Sequence, residues 1–301
     1  MKKYLYLMRV HHYIKNILIF MPLIFSGNLT DRRKFTATLL GMIAFSLVTS
    51  AVYIINDIRD AEKDRMHPTK KNRPIASGAV TPFHAVVLMV FILIAAVVLL
   101  VVSDATAGSY ALVFLYLFIN VAYSMGLKDV PLLDVTILAS GFLLRVLFGA
   151  VLTGTEVSEW LYLTVLSGAF YFSLGKRRNE LQKKKDGDTR KVLKYYTRDF
   201  LDKNMYMCLA LLNTFYALWC KDITNAGMEY AMWTVPIVIL ICMKYSLTVE
   251  GNSEGDPVEV LLHDRVLMAL CVVYGIVMIG MLYFGCLLYT SDAADELDGV
   301  D

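Results

Sequence analysis

Four residues at the end of a long apolar run have the types and the spacing to hold a metal ion. They are Asn56, Asp57, Asp60 and Asp64, of which Asn56 ends the apolar segment 36–56 and the other three follow it. If the helix of that segment continues past its end, the three carboxylates lie at positions i, i+3 and i+7 and share one face. Carboxylate oxygens suit Mg²⁺, which also takes phosphate oxygens from a substrate. The pattern predicts a Mg²⁺ site with catalytic carboxylates at Asp57, Asp60 and Asp64.

Basic residues follow this acidic cluster in the chain. Lys70 and Arg73 come soon after it, and both side chains can bind phosphate oxygens. A metal ion together with cations is typical of a diphosphate site. The alternative is a solvated acidic helix end whose carboxylates are neutralised by Arg59, Lys63 and Arg65. Three carboxylates on one face, just beyond an apolar helix, favour the metal site.

A second polar group borders the apolar segment 159–175. Lys176, Arg177 and Glu180 follow it directly. Cations at such a position bind phosphate well, but they equally anchor a helix end at the membrane surface. The residues alone leave both interpretations open.

A third polar group belongs to the apolar segment 132–153. Arg145 lies in the middle of that segment, Asp134 lies near its start, and Lys128 precedes it. A charge in the middle of a membrane span is costly and usually faces a polar cavity or a partner. We therefore expect Arg145 to have a function or a buried partner rather than to contact lipid.

Composition indicates that all these residues belong to a membrane protein. Of the 301 residues, 57% are hydrophobic and only 19% are charged, and the mean hydropathy is +0.55. A typical soluble domain is closer to 25% charged. The net charge of +2 argues against nucleic acid as a partner. The five cysteines are isolated within apolar segments, which is typical of packing residues rather than metal ligands.

Apolar segments long enough to cross a bilayer recur along the whole chain, which predicts an all-α polytopic protein of about nine transmembrane helices. The segments are 15–28, 36–56, 83–103, 106–126, 132–153, 159–175, 204–220, 229–247 and 266–288. If the N-terminus is cytoplasmic, most Lys and Arg residues fall on the cytoplasmic side, as membrane proteins generally prefer. The outer side then carries only Arg32, Arg33, Lys34 and Lys221.

Several motifs taken together resemble a known family. The run NDxxDxxxD at 56–64 resembles the first aspartate motif of the UbiA-type intramembrane prenyltransferases. The extension DxxHPxKxxRPIASG, the opening RxxHxxKN, the stretch VPLLDVxxLASGFLLR, GKRRNEL and the closing GDPxEVLLxDR resemble the decaprenyl-phosphate phosphoribosyltransferase branch of that superfamily. The resemblance extends to about Gly285, which implies one UbiA-like membrane domain over 1–285.

The resemblance implies transfer of 5-phosphoribose from 5-phosphoribosyl 1-diphosphate to a polyprenyl phosphate, with release of diphosphate and with Mg²⁺ as cofactor. It implies an active site at the cytoplasmic face of the plasma membrane, and a homo-oligomer is compatible with it. It makes Asn56, Asp57, Asp60 and Asp64 the metal ligands. The resemblance implies substrate-binding roles for Lys15, Asn16, Asn56, Lys70, Arg73, Tyr123, Lys128, Asp134, Arg145, Lys176, Arg177 and Glu180.

One departure from the wider superfamily supports this branch. Its ordinary members have a second Asp-rich motif where this chain has the basic run 175–180. A basic cluster cannot supply a second metal site, but it can bind a phosphate monoester. Two alternatives remain at this stage, an aromatic prenyltransferase of quinone or haem biosynthesis and a transporter of anionic lipid or solute. The segment 286–301 is unlike the rest of the chain, and we expect a non-native or disordered tail there.

Overall fold

A computed structural model describes residues 2–67, 70–182, 191–225, 230–251 and 257–295. For residues 225 and 284–295 it describes the backbone alone. The described residues form helices and connecting turns, with no β-strand among them. The chain divides into two compact units. The N-terminal unit comprises Met1–Glu156 and Lys184–Tyr196, and the C-terminal unit comprises Val157–Lys183 and Thr197–Asp301.

Helices of the N-terminal unit begin at the first described residue. In chain order the unit contains α1 (Lys2–Met8), a 3-10 segment (Val10–Phe20), α2 (Met21–Phe25), α3 (Arg32–Arg59), α4 (Ala61–Arg65), α5 (Pro82–Val102), α6 (Ala107–Met125) and α7 (Leu133–Thr153). Shorter 3-10 turns lie at Lys70–Asn72, Leu127–Asp129 and Lys191–Tyr195.

Five α-helices of 7 to 31 residues make up the described part of the C-terminal unit. They are α8 (Glu159–Gln182), α9 (Arg198–Asn225), α10 (Val235–Glu250), α11 (Pro257–His263) and α12 (Arg265–Asp295), and a 3-10 turn (Ala231–Thr234) precedes α10.

The all-α membrane fold expected from the sequence is confirmed. Six helical stretches in the described part of the chain are long and apolar enough to cross a membrane: Arg32–Arg59, Pro82–Val102, Ala107–Met125, Leu133–Thr153, Ala231–Glu250 and Arg265–Tyr283. Three further predicted segments coincide mainly with helices that are too short or not apolar enough to meet these criteria of length and hydropathy. They are 15–28, 159–175 and 204–220. The number of nine spans and the cytoplasmic N-terminus therefore stay predictions. The predicted tail lies outside the described residues from 296 onwards.

The core of the N-terminal unit forms where α3 meets its neighbours. Phe45 of α3 packs against Tyr116 of α6 and Phe148 of α7, with ring centroids 4.7 and 5.3 Å away. All three rings are buried, and buried aromatic pairs add stability beyond the area that they remove from solvent. The long α3 is thus held on the sides of α6 and α7, which fixes where its two ends lie.

The segment before α3 is an unusually long 3-10 helix. Val10–Phe20 contains 11 residues, whereas runs of this helix beyond three or four residues are uncommon. Close packing against α7 accompanies it, because a Cβ atom added to Gly149 would lie 2.0 Å from the backbone oxygen of Ile19. Glycine at 149 therefore lets two backbones approach, and it fixes the segment beside the core.

We expect Gly149→Ala to destabilise the protein by about 1–3 kcal/mol or more, because the clash is with backbone rather than with a side chain that can turn away. Gly275→Ala in α12 is the matched control, since nothing lies within 4 Å of a Cβ there. Thermal unfolding midpoints in detergent measure both. A midpoint for Gly149→Ala equal to that of Gly275→Ala would contradict this packing.

Candidate active site

Two carboxylates, one near the C-terminal end of α3 and one in α4, contact the same guanidinium group. Asp57 Oδ1 accepts hydrogen bonds from Arg9 Nη2 at 2.6 Å and from Arg73 Nη1 at 3.3 Å. The same Arg73 nitrogen donates to Asp64 Oδ2 at 2.7 Å. Asp57 and Asp64 are only 2% and 5% exposed, so these ion pairs are largely shielded from water and are stronger than surface pairs. Asp57 and Asp64 thus share one cation.

Local chain geometry brings Arg9 and Arg73 to this point. Arg9 has a left-handed backbone, with φ 52° and ψ 48°, between α1 and the 3-10 segment. Its guanidinium lies 4.5 Å from the ring centroid of Tyr53, one turn before Asp57 on α3, which is a favourable cation–π contact. Arg73 lies in a folded turn in which its amide donates to the carbonyl of Lys70 at 2.9 Å. Both arginines are therefore positioned by backbone as well as by charge.

The condition of one unbroken helix through the acidic cluster is not met. α3 ends at Arg59, and Asp60, with φ −89° and ψ 5°, separates it from α4. The carboxylate of Asp60 pairs with Lys128 Nζ at 3.3 Å. Asp60 therefore has a different partner from Asp57 and Asp64.

The amide of Asn56 also has a partner of its own. The Ser124 hydroxyl, on α6, donates to Asn56 Oδ1. This contact joins the end of α3 to the end of α6, close to Lys128. Of the predicted metal ligands, the structure thus brings Asp57 and Asp64 to a common cation and directs Asn56 and Asp60 towards α6 and the turn after it.

Two of the four predicted ligands, Asp57 and Asp64, are placed in a way that suits Mg²⁺. No three acidic, histidine or cysteine side chains of the described residues come together closely enough to hold a metal. The carboxylates of Asp57 and Asp64 nevertheless converge on a single positive atom, Arg73 Nη1. Hard oxygens that already share one cation are suitable ligands for a small divalent ion.

Arg145 is buried deep in the N-terminal unit. Its Nε donates to Asn16 Oδ1 at 2.6 Å and its Nη2 to the Tyr116 hydroxyl at 3.2 Å, while Nη1 donates to the Gly141 carbonyl. Within the described part of the chain no carboxylate pairs with Arg145. The expectation that Arg145 avoids lipid is confirmed by its 6% exposure.

The Arg145 network lies well away from the acidic cluster. Asn16 donates to Ser46 Oγ at 2.8 Å, and Ser46 precedes Asp57 by eleven residues of α3. At 1.5 Å per residue the two levels are roughly 16 Å apart along the helix. Tyr13 and Ser50 lie between them and share a hydrogen bond of 2.8 Å. Asn16 and Arg145 therefore belong to a separate polar layer.

Asp134 has a structural contact. It is fully buried, and the Tyr196 hydroxyl donates to its Oδ1 while accepting from the Leu132 amide at 2.8 Å. Leu132 has a positive φ of 66°, so this hydrogen bond stabilises an uncommon backbone conformation. Asp134 thereby ties the 191–196 segment to the start of α7.

Three further predicted residues lie on the 3-10 segment, on α6 and in the turn before Arg73. Lys15 and Tyr123 are half-buried on the 3-10 segment and α6, and both make interactions of their own. Lys70 is exposed in the turn that precedes Arg73, with its backbone amide donating to His67 Nδ1 at 3.3 Å. Only Lys70 is near the shared cation in the chain.

The basic run on α8 of the C-terminal unit is buried rather than exposed. Arg177 is fully buried and its Nη1 donates to Glu180 Oε2 at 2.7 Å. Arg178 is 2% exposed and pairs with Asp202 of α9. One nitrogen of Arg178, Nη1, has no hydrogen-bond partner among the described residues. Lys176 is half-buried.

A further ion pair in this unit fixes the start of α12. Asp264 Oδ2 lies 2.6 Å from Lys244 Nζ and 2.6 Å from the Thr248 hydroxyl. These hydrogen bonds, that from Lys244 first, hold the pKa of the Asp264 carboxyl well below its usual range. Asp264 also caps α12 by accepting from the Leu267 amide at 3.0 Å. It remains ionised, and so paired, throughout the physiological range.

The sequence did not select two of the residues that make these contacts. Arg9 begins the RxxHxxKN motif and Arg178 belongs to GKRRNEL, so motif membership was the available signal for both. Their pairing with Asp57 and Asp202 spans 48 and 24 residues of chain, and no spacing rule connects such positions.

Comparison with known proteins gives the chain a family. Residues 17–261 match the model of the UbiA prenyltransferase family. A decaprenyl-phosphate phosphoribosyltransferase of Corynebacterium glutamicum is 32% identical over 281 residues, which are 90% of this chain and 84% of that protein. The enzyme of the same name from Mycolicibacterium smegmatis is 33% identical over 279 residues, 87% and 86% of the two chains.

Solved structures agree in fold. The structure of a UbiA homologue from Archaeoglobus fulgidus bound to GPP and Mg²⁺ has a TM-score of 0.69, covers 92% of this chain and 99% of its own, and is 18% identical. At that identity the likeness shows the fold alone. With the family match over most of its length and relatives above 30% identity across nearly all of it, the chain belongs to the UbiA prenyltransferase family.

Proposed function

We propose that this protein transfers 5-phosphoribose from 5-phosphoribosyl 1-diphosphate to a polyprenyl phosphate and releases diphosphate. The observation that carries the proposal is the pair of buried carboxylates, Asp57 and Asp64, that share one cation at the end of α3. The relatives at 32% and 33% identity supply the choice of substrates, since they are named decaprenyl-phosphate phosphoribosyltransferases. We also propose that 1–285 acts as one catalytic domain.

Asp57 and Asp64 would hold Mg²⁺, with Asn56 and Asp60 as further oxygen donors. An ion held there would supply positive charge beside a departing diphosphate. The carboxylates are buried, so they need a counter-charge in every state of the reaction. In the structure Arg9 and Arg73 supply it.

The cations around the carboxylates are suited to hold the donor. Arg73 presents a fork of N–H donors that matches phosphate oxygens, and Lys128 lies 3.3 Å from Asp60 on the next face. Lys70 is exposed in the turn that precedes Arg73. These side chains bind and orient diphosphate oxygens, which places the ribose carbon for attack. The acceptor phosphate is anionic at neutral pH, so it needs no strong general base.

Other assignments of the resemblance stay predictions. They are the substrate-binding roles of Lys15, Asn16, Tyr123, Asp134, Arg145, Lys176, Arg177 and Glu180. The location in the plasma membrane and the orientation that turns the acidic cluster to the cytoplasm belong to the same proposal. It is supported by the abundance of Lys and Arg on that side.

Paired substrate assays test the function. Purified protein is incubated with labelled phosphoribosyl diphosphate and polyprenyl phosphate, and separately with a prenyl diphosphate and an aromatic acid. We expect lipid-linked label only in the first reaction, lost on chelation and restored by Mg²⁺. Product in the second reaction alone would make the protein an aromatic prenyltransferase. Product that still forms in the first reaction after chelation would support the transfer reaction but contradict its dependence on Mg²⁺.

A further inference from the structure

A cationic cavity lies at the end of α3 opposite to the acidic cluster. It has a volume of about 750 Å³ and is bordered by the first turn of α3, the end of α5 and the end of α7. Arg32, at this end, precedes Asp57 by 25 residues, which places the two roughly 38 Å apart along the helix. The cavity is therefore separate from the proposed active site.

Three consecutive cations, Arg32, Arg33 and Lys34, border this cavity. Arg33 lies 3.3 Å from Asp104, but the two side chains are 87% and 77% exposed, so the pair contributes little. Within the described residues, neither Arg32 nor Lys34 has an ion-pair partner. The carboxylate of Asp31 is engaged in capping, since its Oδ1 accepts from the amides of Arg33 and Lys34 at 2.9 and 3.1 Å.

Cations in the first turn of a helix are unfavourable by themselves. The N-terminal end carries the positive end of the helix dipole, which repels Lys and Arg side chains. The positive charge is thus concentrated where the helix least favours it, and an anion bound between the side chains would relieve the repulsion.

Apolar side chains form part of the remaining wall of the cavity, beside the hydroxyl groups of Thr36, Ser103, Thr106 and Thr153. Leu40, Val102, Val151 and Leu152 face it below the cations, and they come from helices that are long and apolar enough to cross a membrane. A ligand that fits both parts has an anionic head and a hydrocarbon tail. Basic side chains at a membrane surface attract anionic lipid headgroups in this way.

We propose that this cavity binds the phosphate headgroup of an anionic membrane lipid between Arg32 and Lys34, with an acyl chain against Leu40 and Val151. The site is distinct from the donor and acceptor sites of the proposed reaction. It would retain a lipid in the leaflet opposite to the acidic cluster.

Lipid titration of the full-length protein tests the proposal. The protein in neutral detergent is titrated with phosphatidylglycerol or phosphatidylcholine, and bound lipid is counted by native mass spectrometry. We expect Arg32→Gln/Lys34→Gln to lower the affinity for phosphatidylglycerol by about twenty- to thirtyfold, since each surface cation contributes about fivefold. Phosphatidylcholine binding should not change.

Two more variants distinguish binding at this cavity from a general effect of net charge and from a folding defect. Arg198→Gln/Lys203→Gln removes the same charge from exposed positions on α9 and should keep the preference for phosphatidylglycerol. Asp104→Asn removes the carboxylate that competes for Arg33, so it should raise the affinity, which a folding defect cannot do. Unchanged binding in Arg32→Gln/Lys34→Gln, an equal loss in the control pair, or displacement of the lipid by millimolar inorganic phosphate would each overturn the proposal.

Discussion

Replacement of Asp57 by asparagine should lower kcat by about 10²- to 10³-fold while the protein still folds and inserts. Groups that neutralise charge developing on a leaving group typically contribute this much. Asp57 is the most buried of the three carboxylates and accepts from both Arg9 and Arg73. Asparagine keeps the shape but loses the charge that binds Mg²⁺. Turnover of labelled phosphoribosyl diphosphate at saturating Mg²⁺ measures the effect.

Asp199→Asn is the matched control for this substitution. Asp199 is 74% exposed and, among the described residues, pairs with Lys203 alone, at 2.7 Å on the surface of α9, so its loss should leave kcat unchanged. Asp64→Asn should resemble Asp57→Asn because both carboxylates share Arg73. Near-normal turnover of Asp57→Asn, with an unfolding midpoint like that of the control, would contradict the metal-site proposal.

The sequence predicted the helices well where hydrophobic length alone decides. The segment 83–103 became α5 (Pro82–Val102), and 132–153 became α7 (Leu133–Thr153). A bilayer requires about 20 consecutive apolar residues in a helix, so such runs specify their own structure. The hydropathy of α8 and α9 is lower because charged residues occupy their ends, and there the prediction of a full span goes beyond what the structure supports.

The partners of the acidic residues could not be predicted in the same way. Spacing on an unbroken helix put Asp60 on one face with Asp57 and Asp64, but α3 ends at Arg59 and Asp60 pairs with Lys128. The sequence also offered nearby Arg59, Lys63 and Arg65 as counter-ions, whereas Arg9 and Arg73 fill that role. Residue type and local spacing therefore predicted the chemistry of the site. Pairing over long stretches of chain depends on the packing of whole helices.

Arg177→Ala should destabilise the protein by about 1.5–3 kcal/mol rather than act only on substrate affinity. The sequence left Arg177 as either a phosphate ligand or a surface anchor. In the structure it is fully buried and donates to Glu180 at 2.7 Å. Arg177→Ala removes a fully buried guanidinium together with its charge-assisted hydrogen bond to Glu180, and such hydrogen bonds contribute about 1.5–3 kcal/mol.

Lys176→Ala provides the contrast, because Lys176 is half-buried and precedes Arg177 in the chain. If Lys176 binds the 5-phosphate of the donor, its loss removes a charge-assisted contact of about 1.5–3 kcal/mol and raises KM for phosphoribosyl diphosphate roughly ten- to hundredfold. Its unfolding midpoint should stay close to that of the unsubstituted protein, as should that of the surface variant Lys203→Ala. A raised KM for polyprenyl phosphate instead would assign Lys176 to the acceptor.

A double-mutant cycle with Glu180 isolates the ion pair itself. Glu180→Ala should also lower the free energy of unfolding, since it leaves Arg177 buried without that carboxylate. The double variant should lose less than the sum of the two single losses, because each single variant already removes the Arg177–Glu180 contact. Chemical denaturation in mixed micelles measures all three. Strictly additive losses would show that Arg177 and Glu180 do not stabilise one another, and an Arg177→Ala protein of unchanged stability with a raised KM for the donor would return Arg177 to a direct role in binding phosphate.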